Sequence, residues 1–264
     1  MISTIKNLKN IYRIYPDYET AYKNSDPNAY QAEEIVEVVF QKTLIYKEFL
    51  DKNPLYLLPS VANSFCCLIP KLAENINNST IKVIDFGGAC GALYFQIRKI
   101  LPKNLKLLWA VVETPAMVNK AKVLENQEIS FHNSLVYAFH LLEKVDIFHT
   151  SATIQALDNP REYLKKMVSI PADYAFFNRI GVHKGKNDIY TVHKSKLSWN
   201  GPGDLPKGFQ DKWVKYPYSF ISEEFFLNTI EKKYQILAKF EDKSGIYPVF
   251  GYPIEGYALL CKLK

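Results

Sequence analysis

The chain has 264 residues, which is enough for one large domain with a buried core, and its 48% hydrophobic and 23% charged residues are typical of a globular protein. Its net charge of +6 comes from scattered lysines, so the composition excludes nucleic acid as the default partner and is compatible with an anionic small substrate.

The cysteines and the apolar segments indicate the cellular compartment. Cys66 and Cys67 are adjacent, while Cys90 and Cys261 stand alone, so no CxxC pair suggests a metal site or a disulfide framework. The first residues lack the continuous apolar core of a signal peptide, and the apolar stretch "LYLLPSVANSFCCLIP" is broken by Pro59. We therefore expect a cytoplasmic protein without a membrane span or a bound metal.

Residues 1–78 are predicted to form a helical N-terminal cap. The stretch "NAYQAEEIVEVVFQKTLIYKEFL" places Ile35, Val38, Val39 and Leu50 on one helical stripe, with charged residues opposite. This pattern predicts a helix that packs on the main domain. A lid over a pocket or a dimer surface is the alternative, and the sequence leaves the formation of a homo-oligomer open.

Residues 79–264 alternate strand-like and helix-like stretches. The predicted strands are "IKVIDF", "LKLLWAVVE", "EISFHN", "VDIFHTS" and "DYAFFNRIGV". The predicted helices between them are "GALYFQIRKIL", "PAMVNKAKVLEN", "LVYAFHLLEK" and "NPREYLKKMV". Alternation on this scale predicts a parallel sheet with helices on both faces.

The C-terminal part changes this rhythm. Ser222 opens the helical stretch "SEEFFLNTIEKKY" as a capping residue, and "QILAKFED" and "EGYALLCKL" predict an antiparallel hairpin at a sheet edge. Residues 181–217 are irregular and rich in glycine and proline. A long insertion after a strand end is where an α/β protein usually builds its substrate site.

The segment "VIDFGGACG", residues 83–91, follows the first predicted strand and combines Asp85 with three glycines. Ligands of an open parallel sheet lie beyond the carboxyl ends of its strands, where glycine allows close approach. A dinucleotide-binding loop would read G-x-G-x-x-G, whereas this spacing is G-G-x-x-G, and Asp85 would repel a phosphate. The loop therefore disfavours NAD and other phosphate-bearing ligands.

A ligand with positive charge removes this conflict. S-adenosyl-L-methionine (SAM) has a sulfonium and an ammonium group and no phosphate, so Asp85 can lie near the ammonium. Glu113 ends the second predicted strand, where its two oxygens can accept hydrogen bonds from both ribose hydroxyls. The alternatives are a helix N-cap for Asp85 and a solvated strand-end carboxylate for Glu113.

The chain resembles class I SAM-dependent methyltransferases in five ordered segments: "VIDFGGACG", "LLWAVVET", "ISFHNS", "VDIFHTSATIQALDNPREYL" and "FFNRIGV". It is especially similar to a bacterial branch that has a D-F-G-G motif and is associated with surface-polysaccharide genes. The likeness extends to "YPDYETAY" and "YPYSFISEEFF". It implies a Rossmann-like α/β fold with a seven-stranded, mostly parallel sheet and an antiparallel last strand.

The resemblance also implies roles for individual residues. The methionine part of SAM would contact Asp85, Phe86, Gly87, Gly88 and Gly91, and the ribose would contact Glu113. The adenine would contact Thr114, Met117, Asn133 and Ser134, and the methyl-bearing sulfur would face His149, Thr150 and Ser151. Asn178 would lie near the acceptor. Independently of the resemblance, Arg179, Tyr216 and Tyr218 could line the acceptor pocket. Asn178 and His193 stand where the family often has Asp and Gln, which leaves the residue that does the chemistry open.

Methyl transfer is an in-line displacement at the sulfonium methyl, so the enzyme chiefly aligns the reacting atoms. A sugar hydroxyl needs a base to become a good nucleophile, whereas a phosphate-like oxygen needs only positioning and cations. The candidate bases are His149, His183 and His193. Arg179 could clamp an anionic acceptor through two parallel hydrogen bonds.

The sequence thus predicts a SAM-dependent methyltransferase that releases S-adenosyl-L-homocysteine (SAH). Its acceptor would be a small molecule or glycan precursor, methylated on oxygen of a sugar or of a sugar-linked phosphate or phosphoramidate-type group, in bacterial capsule or surface-polysaccharide biosynthesis. An NAD-dependent oxidoreductase and a catalytically inactive partner protein with the methyltransferase fold are the alternatives.

Overall fold

The structure is a computed structural model that describes residues 13–54, 65, 68–70, 72, 80–242, 249 and 251–264. The first residues of the chain, whose sequence is unlike a signal peptide, lie outside this part. Pro59, Cys66 and Cys67 also lie outside the described residues. Cys90 and Cys261 are free and buried. Among the helices of the described residues, none has the length and apolar character needed to span a membrane.

The described residues contain one extended β structure. Its strands are β1 Thr80–Phe86, β2 Lys106–Val112, β3 Ile129–His132, β4 Val145–Ser151, β5 Ala172–His183, β6 Ile189–Lys196, β7 Trp213–Ser222, β8 Tyr234–Glu241 and β9 Ile254–Leu263. Seven of them form a sheet in the order β3-β2-β1-β4-β5-β9-β8, in which β9 is antiparallel to its neighbours and the other adjacent strands are parallel. This confirms the predicted Rossmann-like α/β fold, including the antiparallel last strand.

Helices cover both faces of this sheet. They are α1 Tyr18–Lys23, α2 Glu33–Lys52, α3 Ala92–Ile100, α4 Pro115–Ala121, α5 Leu135–Leu142, α6 Pro160–Ser169 and α7 Glu223–Glu231. Side chains of α2, α3 and α4 join one apolar cluster, and those of α5, α6 and α7 join the cluster on the opposite face. Ser222 caps α7 by accepting a hydrogen bond from the backbone N–H of Phe225, as its sequence pattern predicts.

Residues 181–217 are more regular than the sequence predicts. β6 and β7 form an antiparallel hairpin, and β7 also pairs with the end of β5 through Val182 and Ile221. Alternation along β6 buries His193 and Ser195 and turns Lys194 outward, which is the normal pattern of a half-buried strand. His183 and His193 therefore belong to strands and not to an irregular loop.

The long helix α2 presents the predicted apolar stripe to the core: Ile35, Val38, Val39 and Leu50 are buried. Lys42 is buried on the same helix, and its Nζ donates a hydrogen bond of 2.6 Å to the carbonyl of Ser198, which follows β6. Burial lowers the pKa of Lys42 to about 8. This bond ties α2 to the β6–β7 hairpin, and the division of the chain into a cap of residues 1–78 and a main domain stays a prediction.

Candidate active site

A cavity of about 1780 Å³ opens at the carboxyl ends of the parallel strands. Its floor is formed by the residues that follow β1, β2, β3 and β4, and by the bend in β5. Its walls come from α1, α2 and the β6–β7 hairpin. Typical small-molecule sites measure about 300–1,000 Å³, so this cavity has room for a nucleoside-sized ligand and a second molecule.

Most of the predicted site residues line this single cavity. They are Asp85, Phe86, Gly87, Gly88, Glu113, Thr114, Asn133, Ser134, His149, Ser151, Asn178, Arg179, His193, Tyr216 and Tyr218. The carboxyl ends of β1 to β4, the bulge of β5 and the β6–β7 hairpin therefore bring together residues from all five ordered segments quoted above. In the described part of the chain, no group of three or more His, Cys, Asp or Glu side chains is arranged to hold a metal ion.

Four predicted site residues do not line the cavity. Gly91 precedes α3 and lies against the side chain of Ile129, and Met117 is buried with its sulfur 3.4 Å from the sulfur of Cys90. Thr150 lies between His149 and Ser151 on β4, so its side chain faces the opposite side of the sheet. Direct ligand contacts by these three residues are thus not supported.

His183 is the fourth. It is the last residue of β5, five residues beyond Asn178, which lines the cavity, and His183 itself does not line it. Its Nδ1 accepts a hydrogen bond from the backbone N–H of Gly185 at 3.0 Å, and its ring meets the edge of Tyr252. The structure therefore removes His183 from the set of candidate catalytic residues.

Asp85 is only 2% exposed, and both of its oxygens have partners within the protein. Oδ1 lies 2.8 Å from Nδ1 of His149 on the neighbouring strand, and Oδ2 accepts a hydrogen bond of 3.3 Å from the indole N–H of Trp109. Asp85 does not cap a helix, because α3 begins only after Gly91. Asp85 therefore pairs with His149 in the structure, and its contact with a cofactor ammonium stays a prediction.

The first two glycines of the loop are required by protein packing. Gly87 has φ of +78°, and a Cβ atom there would lie 2.0 Å from Oγ1 of Thr153. At Gly88 a Cβ atom would lie 2.4 Å from Oδ2 of Asp85. The sequence interpretation assigned these glycines to close ligand approach, whereas the structure shows that they make room for Thr153 and for the Asp85 carboxylate.

Glu113 follows β2 directly and lies half-buried in the cavity wall. Its Oε2 accepts a hydrogen bond of 2.6 Å from the backbone N–H of Thr114, which caps α4. Burial is the main cause that raises the pKa of the Glu113 carboxyl above its ordinary value. A raised pKa means that the fold holds the ionised carboxylate at a cost, which is typical of functional sites.

The end of β4 is linked to the bulge of β5 by hydrogen bonds. The Oγ of Ser151 accepts a hydrogen bond of 2.9 Å from Nε of Arg179 and one of 3.4 Å from Nδ2 of Asn178. Arg179 has φ of +50° in a bulge of β5, and Ala89 and Ala152 also have positive φ values. Left-handed residues other than glycine are strained and concentrate at functional sites, and these three all line the cavity.

His193 lies on the hairpin wall of the cavity and is 6% exposed. Its ring packs between those of Tyr216 and Tyr218, with centroids 5.0 and 4.9 Å away. Burial lowers the pKa of His193 to about 4, so the imidazole is neutral at pH 7. A neutral imidazole donates a hydrogen bond from one ring nitrogen and accepts one at the other.

The depressed pKa of His193 predicts a loss of stability in acid. As the pH falls from about 6.5 towards 4, His193 binds a proton in the unfolded chain but stays neutral in the folded chain. The contribution of His193 should therefore lower the free energy of unfolding by about 2 kcal/mol. Denaturant unfolding at pH 7 and at about pH 4.5 should show a smaller difference for His193→Gln than for the wild type. His140→Gln, at an exposed position on α5, is the control, and an unchanged pH dependence in His193→Gln would contradict the expectation.

Several cavity residues were not predicted from the sequence. Tyr18, Tyr22, Tyr30 and Trp199 line the cavity, and Tyr30 meets the ring of Tyr216 edge to face with centroids 5.5 Å apart. The segment "YPDYETAY" did contribute to the family resemblance, but tyrosine is abundant in this chain, so composition gave no reason to single these side chains out.

No protein-family model matches the chain, and no curated protein matches its sequence. Solved structures that align with it include the N-terminal domain of EvdMO1 with SAH bound, at 10% identity over 79% of this chain and 84% of that chain, with a TM-score of 0.48. CalS10, an amino pentose methyltransferase from Micromonospora echinaspora with SAM bound, is 12% identical over 76% of this chain and 91% of that chain, with a TM-score of 0.48.

A SAM-dependent methyltransferase from Clostridium acetobutylicum ATCC 824 is 13% identical over 82% of this chain and 96% of that chain, with a TM-score of 0.45. All three TM-scores lie below 0.5. The function of this chain therefore has to be argued from its own residues.

Proposed function

We propose that this chain is a SAM-dependent methyltransferase. One observation supports this most. Glu113, which follows β2, and the glycine turn that follows β1 line the same cavity at the strand ends. A carboxylate at this place suits a ribose with two free hydroxyls, and the neighbouring Asp85 disfavours a diphosphate.

The residues present fit the parts of SAM. Glu113 would accept hydrogen bonds from the ribose, and Asn133 and Ser134 after β3 would meet the adenine edge, beside the apolar Leu135 and Val136 that also line the cavity. The turn at Gly87 and Gly88 would lie against the methionine part. When bound, SAM supplies an electrophilic methyl group, while the protein supplies alignment and excludes water.

The acceptor would occupy the half of the cavity walled by α1 and the β6–β7 hairpin. Aromatic side chains dominate there, among them Tyr18, Tyr30, Tyr216 and Tyr218, and Arg179 adds a half-buried cation. Flat aromatic faces suit a sugar ring, and the guanidinium suits an anionic substituent. His149, His193 and Arg179 are the side chains we propose for the chemistry.

The biological setting follows from the family resemblance alone. We propose a cytoplasmic enzyme of bacterial capsule or surface-polysaccharide biosynthesis that methylates oxygen of a sugar, or of a sugar-linked phosphate or phosphoramidate-type group. Its N-terminal helices, which line the acceptor half, would act as a cap or lid. A homo-oligomer is compatible with this arrangement.

Titration calorimetry with SAH and with NAD tests the proposal. We expect SAH to bind and NAD not to bind, because the cavity has acids where a pyrophosphate would lie. Binding of NAD without SAH would favour the oxidoreductase alternative. Absence of SAH binding at millimolar concentration would favour a catalytically inactive partner protein.

A further inference from the structure

Two buried hydrogen-bond acceptors in the cavity wall have no partner among the residues that the structure describes. Nε2 of His149 and Oδ1 of Asn178 make no hydrogen bond with any described residue, although the two side chains are only 2% and 1% exposed. Both residues line the cavity. An unpaired buried polar atom costs about 1–3 kcal/mol, so a pair of them within one cavity indicates that a ligand completes them.

The partners of His149 determine which nitrogen carries the proton. Nδ1 lies 2.8 Å from Oδ1 of Asp85, and a carboxylate oxygen can only accept, so Nδ1–H is the donor of this pair. When Nδ1 carries the single ring proton, Nε2 keeps a lone pair. The ring is also fixed in its plane, because Phe65 and Phe176 stack on it with centroids 4.6 and 6.1 Å away.

Asn178 presents a second acceptor on the same face of the sheet. Its Nδ2 donates to Ser151, which leaves Oδ1 open. Ser151 and Asn178 are opposite each other on β4 and β5, one pleat beyond His149 and Phe176, so the two unpaired atoms belong to the same face of the sheet. A ligand group that completes both acceptors has to carry protons.

We propose that these two atoms receive the protonated nucleophile of the methyl acceptor, a sugar hydroxyl or amine, and that His149 is its general base. This inference rests on the proposed methyltransferase function. It excludes the phosphate acceptors named there and adds amines, because a fully ionised phosphate oxygen has no proton to give to either atom. Asp85 is then a positioning residue: it holds the tautomer of His149, Trp109 donates to its other oxygen, and the proposal gives it no role in cofactor binding.

The acceptor, His149 and the sulfur account for every proton and electron pair of the transfer. The O–H proton of a hydroxyl, or one N–H proton of an ammonium group, moves to Nε2 of His149, and the lone pair left on the oxygen or nitrogen forms the new bond to the methyl carbon. The C–S bond breaks with its electron pair kept by sulfur, which gives SAH. The resulting imidazolium is held by the Asp85 carboxylate until solvent takes the proton.

Asp85→Asn tests the tautomer directly. Its amide can donate to Nδ1 of His149, which would move the imidazole proton to Nε2 and turn the acceptor into a donor. ¹⁵N NMR of histidine-labelled protein should show Nδ1–H in the wild type and Nε2–H in Asp85→Asn. Trp109→Phe, which removes the donor to the other Asp85 oxygen, should keep Nδ1–H. A wild-type Nε2–H tautomer would overturn the proposal.

Calorimetry separates this proposal from the proposed function. SAH should bind to Asp85→Asn and to His149→Gln within about threefold of its wild-type affinity, since neither residue contacts it. A tenfold or larger loss in either folded variant would mean that these acceptors serve the cofactor ammonium, and the inference would fail while the methyltransferase assignment stands. Failure of the wild type to bind SAH would count against the proposed function itself.

The linkage of the transferred methyl group provides the second test. With ³H-methyl SAM and a metabolite extract of the source cells, the wild type should produce a methyl ether or a methylamine. Asp85→Asn should lower this transfer by about 10²- to 10⁴-fold, the usual contribution of a general base. A methyl phosphate ester as the product would contradict the proposal.

Discussion

Glu113→Gln should weaken SAH binding by about 10- to 100-fold, because one amide oxygen replaces a carboxylate that can accept charge-assisted hydrogen bonds from both ribose hydroxyls. The same substitution should leave the ligand-free protein as stable as the wild type or more stable at pH 7. The pKa of the Glu113 carboxyl is raised by burial, so the fold favours its neutral form. The stability that this carboxyl contributes is therefore present below its unfolded pKa and is lost as the pH rises through the folded pKa.

Glu128→Gln is a matched control for this experiment. Glu128 also accepts hydrogen bonds from side chains, those of Tyr94 and Arg98, but it does not line the cavity. Calorimetry should show unchanged SAH affinity for Glu128→Gln. If Glu113→Gln bound SAH as tightly as the wild type, or lost several kcal/mol of stability, Glu113 would be a structural residue that supports Thr114 and not a ribose ligand.

Gly87→Ala should lower the free energy of unfolding by about 3–4 kcal/mol. The left-handed conformation of residue 87, at φ of +78°, costs a residue with a side chain about 1 kcal/mol or more. The added Cβ would also lie 2.0 Å from Oγ1 of Thr153, a short β-branched side chain whose hydroxyl donates to the carbonyls of Phe86 and Ser151. Thr153 would have to move, and the end of β1 with it.

Gly208→Ala separates the two causes. Gly208 also has a positive φ, of +94°, but its added Cβ would meet no atom within 4 Å. Urea unfolding should therefore show a loss of only about 1 kcal/mol for Gly208→Ala. Equal losses for the two variants would show that the Thr153 contact is unimportant and that the backbone conformation alone demands glycine at residue 87.

The strand ends of the site could be predicted from the sequence. Buried parallel strands are continuous apolar runs, so the ends of "IKVIDF" and "LKLLWAVVE" place Asp85 and Glu113 at neighbouring positions in space. The structure adds that both residues line one cavity. Their roles in binding a ligand remain a proposal.

The partner of Asp85 could not be predicted in this way. His149 lies 64 residues further along the chain, and only the register between β1 and β4 sets the two side chains opposite each other. The strained backbone positions could not be predicted either. Positive φ is expected at glycine, whereas here it occurs at Ala89, Ala152 and Arg179. The β6–β7 hairpin was obscured by the glycines and prolines between its strands and by Pro217 within β7.

The bulge in β5 has a consequence for engineering. β5 pairs with β4 as far as Asn178 and with β7 from Val182 onward, and the extra residue of the bulge lies between these two stretches. A strand displaced by one residue turns every side chain to the other face. On a scaffold that lacks the one extra residue of the bulge, the grafted hairpin would thus turn His193 outward. An exchange of this segment to change the acceptor preference therefore has to include both the bulge and the hairpin.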